Sequence, residues 1–98
     1  MIRNSKQRAY LKSLAMSMPA ILHVGKDGIT PEFTNSVKEA LDARELIKIS
    51  VLKGCDDDPA ALAVTLSERT RSEVVQAIGR KIVLYKEGRE DKRRIILP

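Results

Sequence analysis

The sequence predicts an α/β fold: a single domain with a mixed four-stranded sheet and three helices in the order α-β-α-β-α-β-β. Three observations predict it. Apolar residues at helical spacing alternate along the chain with short apolar runs rich in Val and Ile. Pro31 and Pro59 each follow a capping residue, Thr30 and Asp58, as at the first position of a helix. Two apolar runs near the end are separated only by Gly79-Arg80, the sign of a tight hairpin with a type II′ turn.

In the first helix Leu11, Leu14, Ala15 and Met18 recur on one face, Asn4 or Ser5 suits the cap, and Pro19 stops the pattern. Arg8 and Lys12 fall one turn apart beside that stripe, a like-charge spacing that is mildly unfavourable unless an anion sits between them. Ala20 to Val24 is a short apolar strand ended by the loop Gly25-Lys26-Asp27-Gly28. The second helix starts at Pro31, buries Phe33, Val37, Ala40 and Leu41, and runs to Arg44.

From Leu46 to Leu52 the chain alternates, with Ile47, Ile49 and Val51 on one side and Lys48 and Ser50 on the other. A turn through Asp56, Asp57 and Asp58 opens a third helix whose inner face is Leu62, Ala63 and Leu66. Val74 to Ile78 and Lys81 to Lys86 form the hairpin, and Ile95 to Leu97 is expected to extend the sheet edge. Two crossovers should leave their strands parallel and right-handed, and the hairpin adds an antiparallel pair, so the sheet is mixed.

With 98 residues there is room for one core, and no apolar run approaches the ~18 residues of a membrane span. Met1-Ile2-Arg3-Asn4-Ser5 lacks the apolar centre of a signal peptide, so a cytoplasmic protein is expected. A single cysteine, Cys55, and a single histidine, His23, exclude an intramolecular disulfide and a Cys/His zinc site. The Asp56-Asp57-Asp58 triplet reads as helix-opening acids because no regular spacing of oxygen ligands follows it, and no metal or cofactor is expected. No Ser/His/Asp set, catalytic carboxylate pair or cofactor loop can be assembled, which argues against an enzyme, and no small-molecule substrate is expected.

The net charge of +5 points to a polyanionic partner. Arg3, Lys6, Arg8, Lys12 and Lys26 occur with no acid among them, and a second basic stretch holds Lys86, Arg89, Lys92, Arg93 and Arg94. In a strand-helix unit the loop after the strand is where ligands commonly bind, beside unpaired helix N–H groups. Gly25 and Gly28 permit close approach there, Lys26 adds charge, and a nucleic-acid phosphate is the natural guest. Taken alone, such a GxxG is more often two turn glycines than a binding site. Asp27 opposes a phosphate unless its carboxylate turns back onto the local backbone, which is the expected arrangement.

The segments KQRAYLKSLA, PAILHVGKDGIT, EALDARELIKISVL, VVQAIGRKIVLYK and the closing ILP resemble the bacterial YhbY-like proteins, which consist of a single CRM domain, the chloroplast RNA splicing and ribosome maturation module. The resemblance runs from Ser5 to Pro98. It implies one RNA-binding domain over residues 1–98, a fold like the C-terminal domain of translation initiation factor three, and a KH-like GxxG loop that contacts RNA. It also implies association with rRNA and with precursors of the large (50S) ribosomal subunit. By position, the family's loop falls on Gly25, Lys26, Asp27 and Gly28, and its basic first helix on Lys6, Arg8 and Lys12.

Arg80 and Lys81 at the hairpin, with Lys86 and the Lys92 to Arg94 run, are secondary candidates for RNA contact, since basic residues in turns are solvated surface at least as often as binding groups. His23 is expected to be a packed strand residue, and Cys55, among acids, an unreactive thiol. Tyr10, Phe33 and Tyr85 are too few for a stacking platform, so recognition is expected to rest on phosphates and RNA shape. The expected function is therefore a monomeric RNA-binding factor for large-subunit assembly. The alternatives are a protein-binding adaptor on pre-ribosomal particles and, more remotely, nonspecific DNA binding.

Overall fold

The structure, a computed structural model, describes residues 1–89 and 93–98; Lys92 of the second basic stretch lies outside them. The elements follow the predicted order: α1 (Ser5–Met16), β1 (Leu22–Val24), α2 (Pro31–Arg44), β2 (Leu46–Val51), α3 (Pro59–Thr70), β3 (Glu73–Ile78) and β4 (Lys81–Tyr85). Local chemistry accounts for the helix starts. The Asn4 side chain accepts a hydrogen bond from the Gln7 amide at 2.9 Å, and the Thr30 hydroxyl accepts one from the Phe33 amide at 3.0 Å. Asp58 occupies the α3 cap, but its carboxylate makes no capping bond.

The sheet order is β1-β2-β4-β3. β1 pairs parallel with β2 in the register Val24 with Val51, as a crossover through α2 requires. β2 and β3 also run in the same direction, but they are not neighbours, because β4 inserts between them and pairs antiparallel with both. Being central, β4 is buried on both faces, which explains the uninterrupted apolar run Ile82-Val83-Leu84-Tyr85.

The core is split by the sheet. Ile47, Ile49, Ile82 and Leu84 face α2 and α3, joining Val37, Leu41, Leu62 and Leu66, and Cys55 is buried in the same cluster. Leu46, Val75, Val83 and Tyr85 point the other way and meet Leu11 and Ala15 of α1. Met18 lies past the end of α1 and still packs against this second cluster, and Phe33 and Ala40 pack half-buried against the first.

Two irregularities shape the sheet. The hairpin turns through Gly79 at φ +58 with no positive φ at Arg80, as a type II′ turn demands. In β3 the register shifts so that Val74 pairs with Leu84 and Gln76 with Val83, leaving Val75 as the extra residue of a bulge.

The segment Ile95 to Leu97 does not extend the sheet. Ile95 and Leu97 pack instead against the α1 cluster, and the Pro98 carbonyl accepts from the Gln7 side-chain amide at 3.0 Å. Glu45 holds this tail. Its backbone takes φ +65, its side chain is buried, and its carboxylate accepts hydrogen bonds from the amides of Gly88 (2.9 Å), Ile95 (3.0 Å) and Arg94. A buried carboxylate so placed meets its own hydrogen-bonding demand and fixes backbone that no strand pairing holds. Among the described residues no helix is long and apolar enough to cross a membrane.

Candidate nucleic-acid interface

The ends of β1 and β2, the β3–β4 turn and the last turn of α1 converge at one end of the sheet. The loop Gly25 to Gly28 is a β-turn there, closed by the Gly28 amide donating to the Gly25 carbonyl at 3.0 Å. Lys26 and Asp27 are the exposed central residues. Gly28 sits at φ +67, and a Cβ built on it would lie 3.2 Å from Asp57 Oδ2, so both conformation and space favour glycine.

Two expectations about this loop are corrected. The Asp27 carboxylate forms no hydrogen bond to the local backbone, whose needs are met by the Gly28–Gly25 bond and by Thr30. Asp27 instead borders a cleft shared with Asp57 and Asp58, making that side of the loop acidic. The start of α2 also offers few free donors, since Pro31 has no N–H and Thr30 takes the Phe33 amide. Glu32 adds a negative charge in the same turn. An anion at this loop would be held by the exposed turn and Lys26 more than by the helix end.

The hairpin turn lies beside the loop. The Arg80 guanidinium donates to the Leu52 carbonyl at 3.1 Å, and Leu52 is the side chain nearest a Cβ built on Gly25, at 4.0 Å. Lys81 is paired in register with Ser50 across β4 and β2, and its Nζ donates to the Ser50 hydroxyl at 2.9 Å. Both cations keep further donors free for a ligand.

The first helix divides. Lys12 lines a groove of about 170 Å³ together with Met16, Lys48, Gln76, Ile78 and Lys81. The Arg8 guanidinium is turned inward and donates to the carbonyls of Val74 (2.5 Å) and Val75 (3.3 Å), at the β3 bulge. Lys6 is exposed and, six residues before Lys12, lies about 120° around the helix from it, and it is not among the residues that line the groove.

His23 is exposed rather than packed. Its neighbours Leu22 and Val24 face the α2–α3 cluster, so His23 points to the α1 side, in one row with Ser50, Lys81 and Ile78 across the sheet. Lys48, Ser50 and Gln76 were not among the site residues expected from sequence. The alternation of β2 had already put Lys48 and Ser50 on one face, but only the insertion of β4 brings them beside Lys81.

The second basic stretch is elsewhere. Lys86 follows β4 at its far end, about 17 Å from Lys81 by strand rise, and lies 3.8 Å from Asp42. Arg93 is bonded to Glu87 at 2.8 Å, and Glu87 also holds the N-terminal ammonium, which lowers its pKa. Among the described residues no group of three His, Cys, Asp or Glu side chains is placed to hold a metal ion.

The model of the CRS1/YhbY (CRM) domain family matches residues 4–86. The chain is 46% identical over 93 residues to the Bacillus subtilis "Probable RNA-binding protein YqeI", covering 95% of this chain and 96% of that one. It is 33% identical over 90 residues to a Haemophilus influenzae "RNA-binding protein", covering 91% and 90% of the two chains. The solution structure of the hypothetical protein SAV1595 from Staphylococcus aureus, suggested there to bind RNA, superposes with a TM-score of 0.81 at 45% identity, over 99% of this chain and all of that one.

Proposed function

The chain belongs to the CRS1/YhbY (CRM) domain family, and on that premise we propose that it binds RNA, as the names of its relatives say of them, through the end of the sheet that carries the Gly25–Gly28 turn. The observation that carries this reading is the gathering of Lys12, Lys26, Lys48, Arg80 and Lys81 at that one end, from two strands, a loop, a hairpin turn and a helix. Cations so grouped neutralise phosphates and release counterions, which gives affinity without reading bases. The cleft of Asp27, Asp57 and Asp58, with Arg69 as the one cation among the described residues of its lining, carries net negative charge and disfavours phosphate on the α2–α3 side, so the backbone would pass on the α1 side of the turn.

In this reading the domain works as one unit in the cytoplasm, and its RNA is rRNA of the large subunit during 50S maturation. The test is binding to fragments of large-subunit rRNA over a range of salt. Affinity is expected to fall steeply as salt rises, and K26A with K12A is expected to lower both the affinity and the slope. Binding insensitive to salt and to both substitutions would contradict the phosphate-dominated surface.

The acidic cleft favours a second reading, an adaptor whose loop meets a protein of the pre-ribosomal particle. A protein that comigrates with such particles yet ignores naked rRNA would support it.

A further inference from the structure

We propose that the groove between the last turn of α1 and the open face of the sheet is a separate seat for an unpaired RNA nucleotide, with Gln76, Met16 and Ile78 as the residues that distinguish single strands from duplex. The proposal rests on the RNA-binding reading and concerns a surface beyond the loop. The groove combines two kinds of surface. Lys12, Lys48 and Lys81 supply positive charge from α1, β2 and β4, while Met16 and Ile78 form an apolar rim, 83% and 63% exposed.

A duplex presents its phosphates outward, and large apolar side chains set among those contacts would remove water from charged oxygens without giving anything back. An unpaired nucleotide is amphipathic in the same way as the groove. Its base has an apolar face to lie on Met16 and Ile78, and its flanking phosphates meet the lysines. Gln76, half-buried in the floor beside the β3 bulge, carries both a donor and an acceptor, the pair of groups needed to bond a base edge. The bulge turns Val75 and Gln76 toward the α1 side together, which puts this amide at the groove while Val75 fills the core beneath α1.

His23 and Lys81 continue the surface across β1 and β4 to the open edge of the sheet, with Ser50 buried between them under the Lys81 ammonium. A strand of RNA leaving the groove would therefore run over the sheet toward β1 and the Gly25–Gly28 turn. The loop and the groove become two contacts on one path.

The test compares two probes, an oligouridylate that cannot pair and a blunt RNA duplex of equal strand length, using the full chain. The charge-neutral Gln76→Met and Ile78→Ser are expected to weaken oligouridylate binding by about fivefold or more and duplex binding by less than about twofold. Lys26→Ala is expected to weaken both. Circular dichroism that matches the parent protein keeps a folding defect from imitating the result. Equal losses on the two probes, or none on either, would overturn the groove proposal while leaving RNA binding itself intact. A parent protein that binds neither probe would overturn the reading beneath it as well. Loss of a concentration-dependent dimer in Ile78→Ser, with unchanged RNA affinity, would assign the groove to a second copy of the chain and equally overturn the proposal.

Discussion

The guanidinium of Arg8 donates to the Val74 carbonyl at 2.5 Å, tying α1 to the bulge in β3. The bulge breaks the strand ladder, and Arg8 supplies a donor at that point. A residue that looks from sequence like part of a basic RNA-facing helix thus has a structural task. Arg8→Ala is expected to lower stability by about 1.5–3 kcal/mol, the range for hydrogen bonds to a charged group, with Arg8→Lys recovering part of it. Urea denaturation measures this. Unchanged midpoints combined with weaker RNA binding would return Arg8 to the interface.

Glu45 should govern the C-terminal tail. Glu45→Ala leaves the amides of Gly88, Arg94 and Ile95 without their acceptor, and a loss of about 2–4 kcal/mol is expected. Hydrogen exchange at Arg94 and Ile95 should rise more than at Ile82 or Leu84 of the central strand. Glu45→Gly relieves the positive φ but loses the same acceptor, so it should free the tail while costing less global stability than the alanine variant.

The two positive-φ glycines should respond differently. A Cβ on Gly79 meets open space, so Gly79→Ala carries only the conformational cost of an L residue at the first central position of a type II′ turn, about 1–3 kcal/mol. Gly28→Ala adds the 3.2 Å approach to Asp57 and should cost more. Asp57→Ala in the same chain should recover the difference, a coupling that a double-mutant cycle of thermal unfolding would display.

Tyr85 is wholly buried, its hydroxyl has no hydrogen-bond partner among the described residues, and burial with nearby Glu87 and Glu45 pushes its pKa up from 10.0 to about 12. Between those values the unfolded chain has lost the proton and the folded chain keeps it, so the unfolded state binds fewer protons and stability falls as pH rises. The contribution is fully present below pH 10, and the loss amounts to about 2–3 kcal/mol by the time the folded group ionises. Tyr85→Phe should unfold no more easily at neutral pH and should lose this alkaline component, measured as the difference between the two proteins' denaturation midpoints from pH 9 to 12.

Much of this fold was legible because its signals are local. Thr30-Pro31 and Asp58-Pro59 mark helix starts in two residues each, and Gly79-Arg80 marks the hairpin in two more. What stayed hidden depends on distant parts of the chain. That β4 enters between β2 and β3 is settled by packing on both of its faces, and the assembly of Lys12, Lys48 and Lys81 follows only from that insertion. Arg8 looked like its neighbour Lys12 because a helical wheel shows direction without showing the bulge that awaits one of them. The role of Glu45 had no sequence signal, since its three donors lie more than forty residues away.

The most direct test of the interface is an amide NMR titration of the protein with a fragment of large-subunit rRNA. The account predicts that shifts concentrate at Gly25–Gly28, at Lys48 and Ser50, at Gly79–Lys81 and along the Lys12–Met16 turn, with Asp42, Lys86 and Glu87 at the far end of the sheet unmoved. Shifts centred on that far end, or on the Asp57–Asp58 side of the turn, would contradict it.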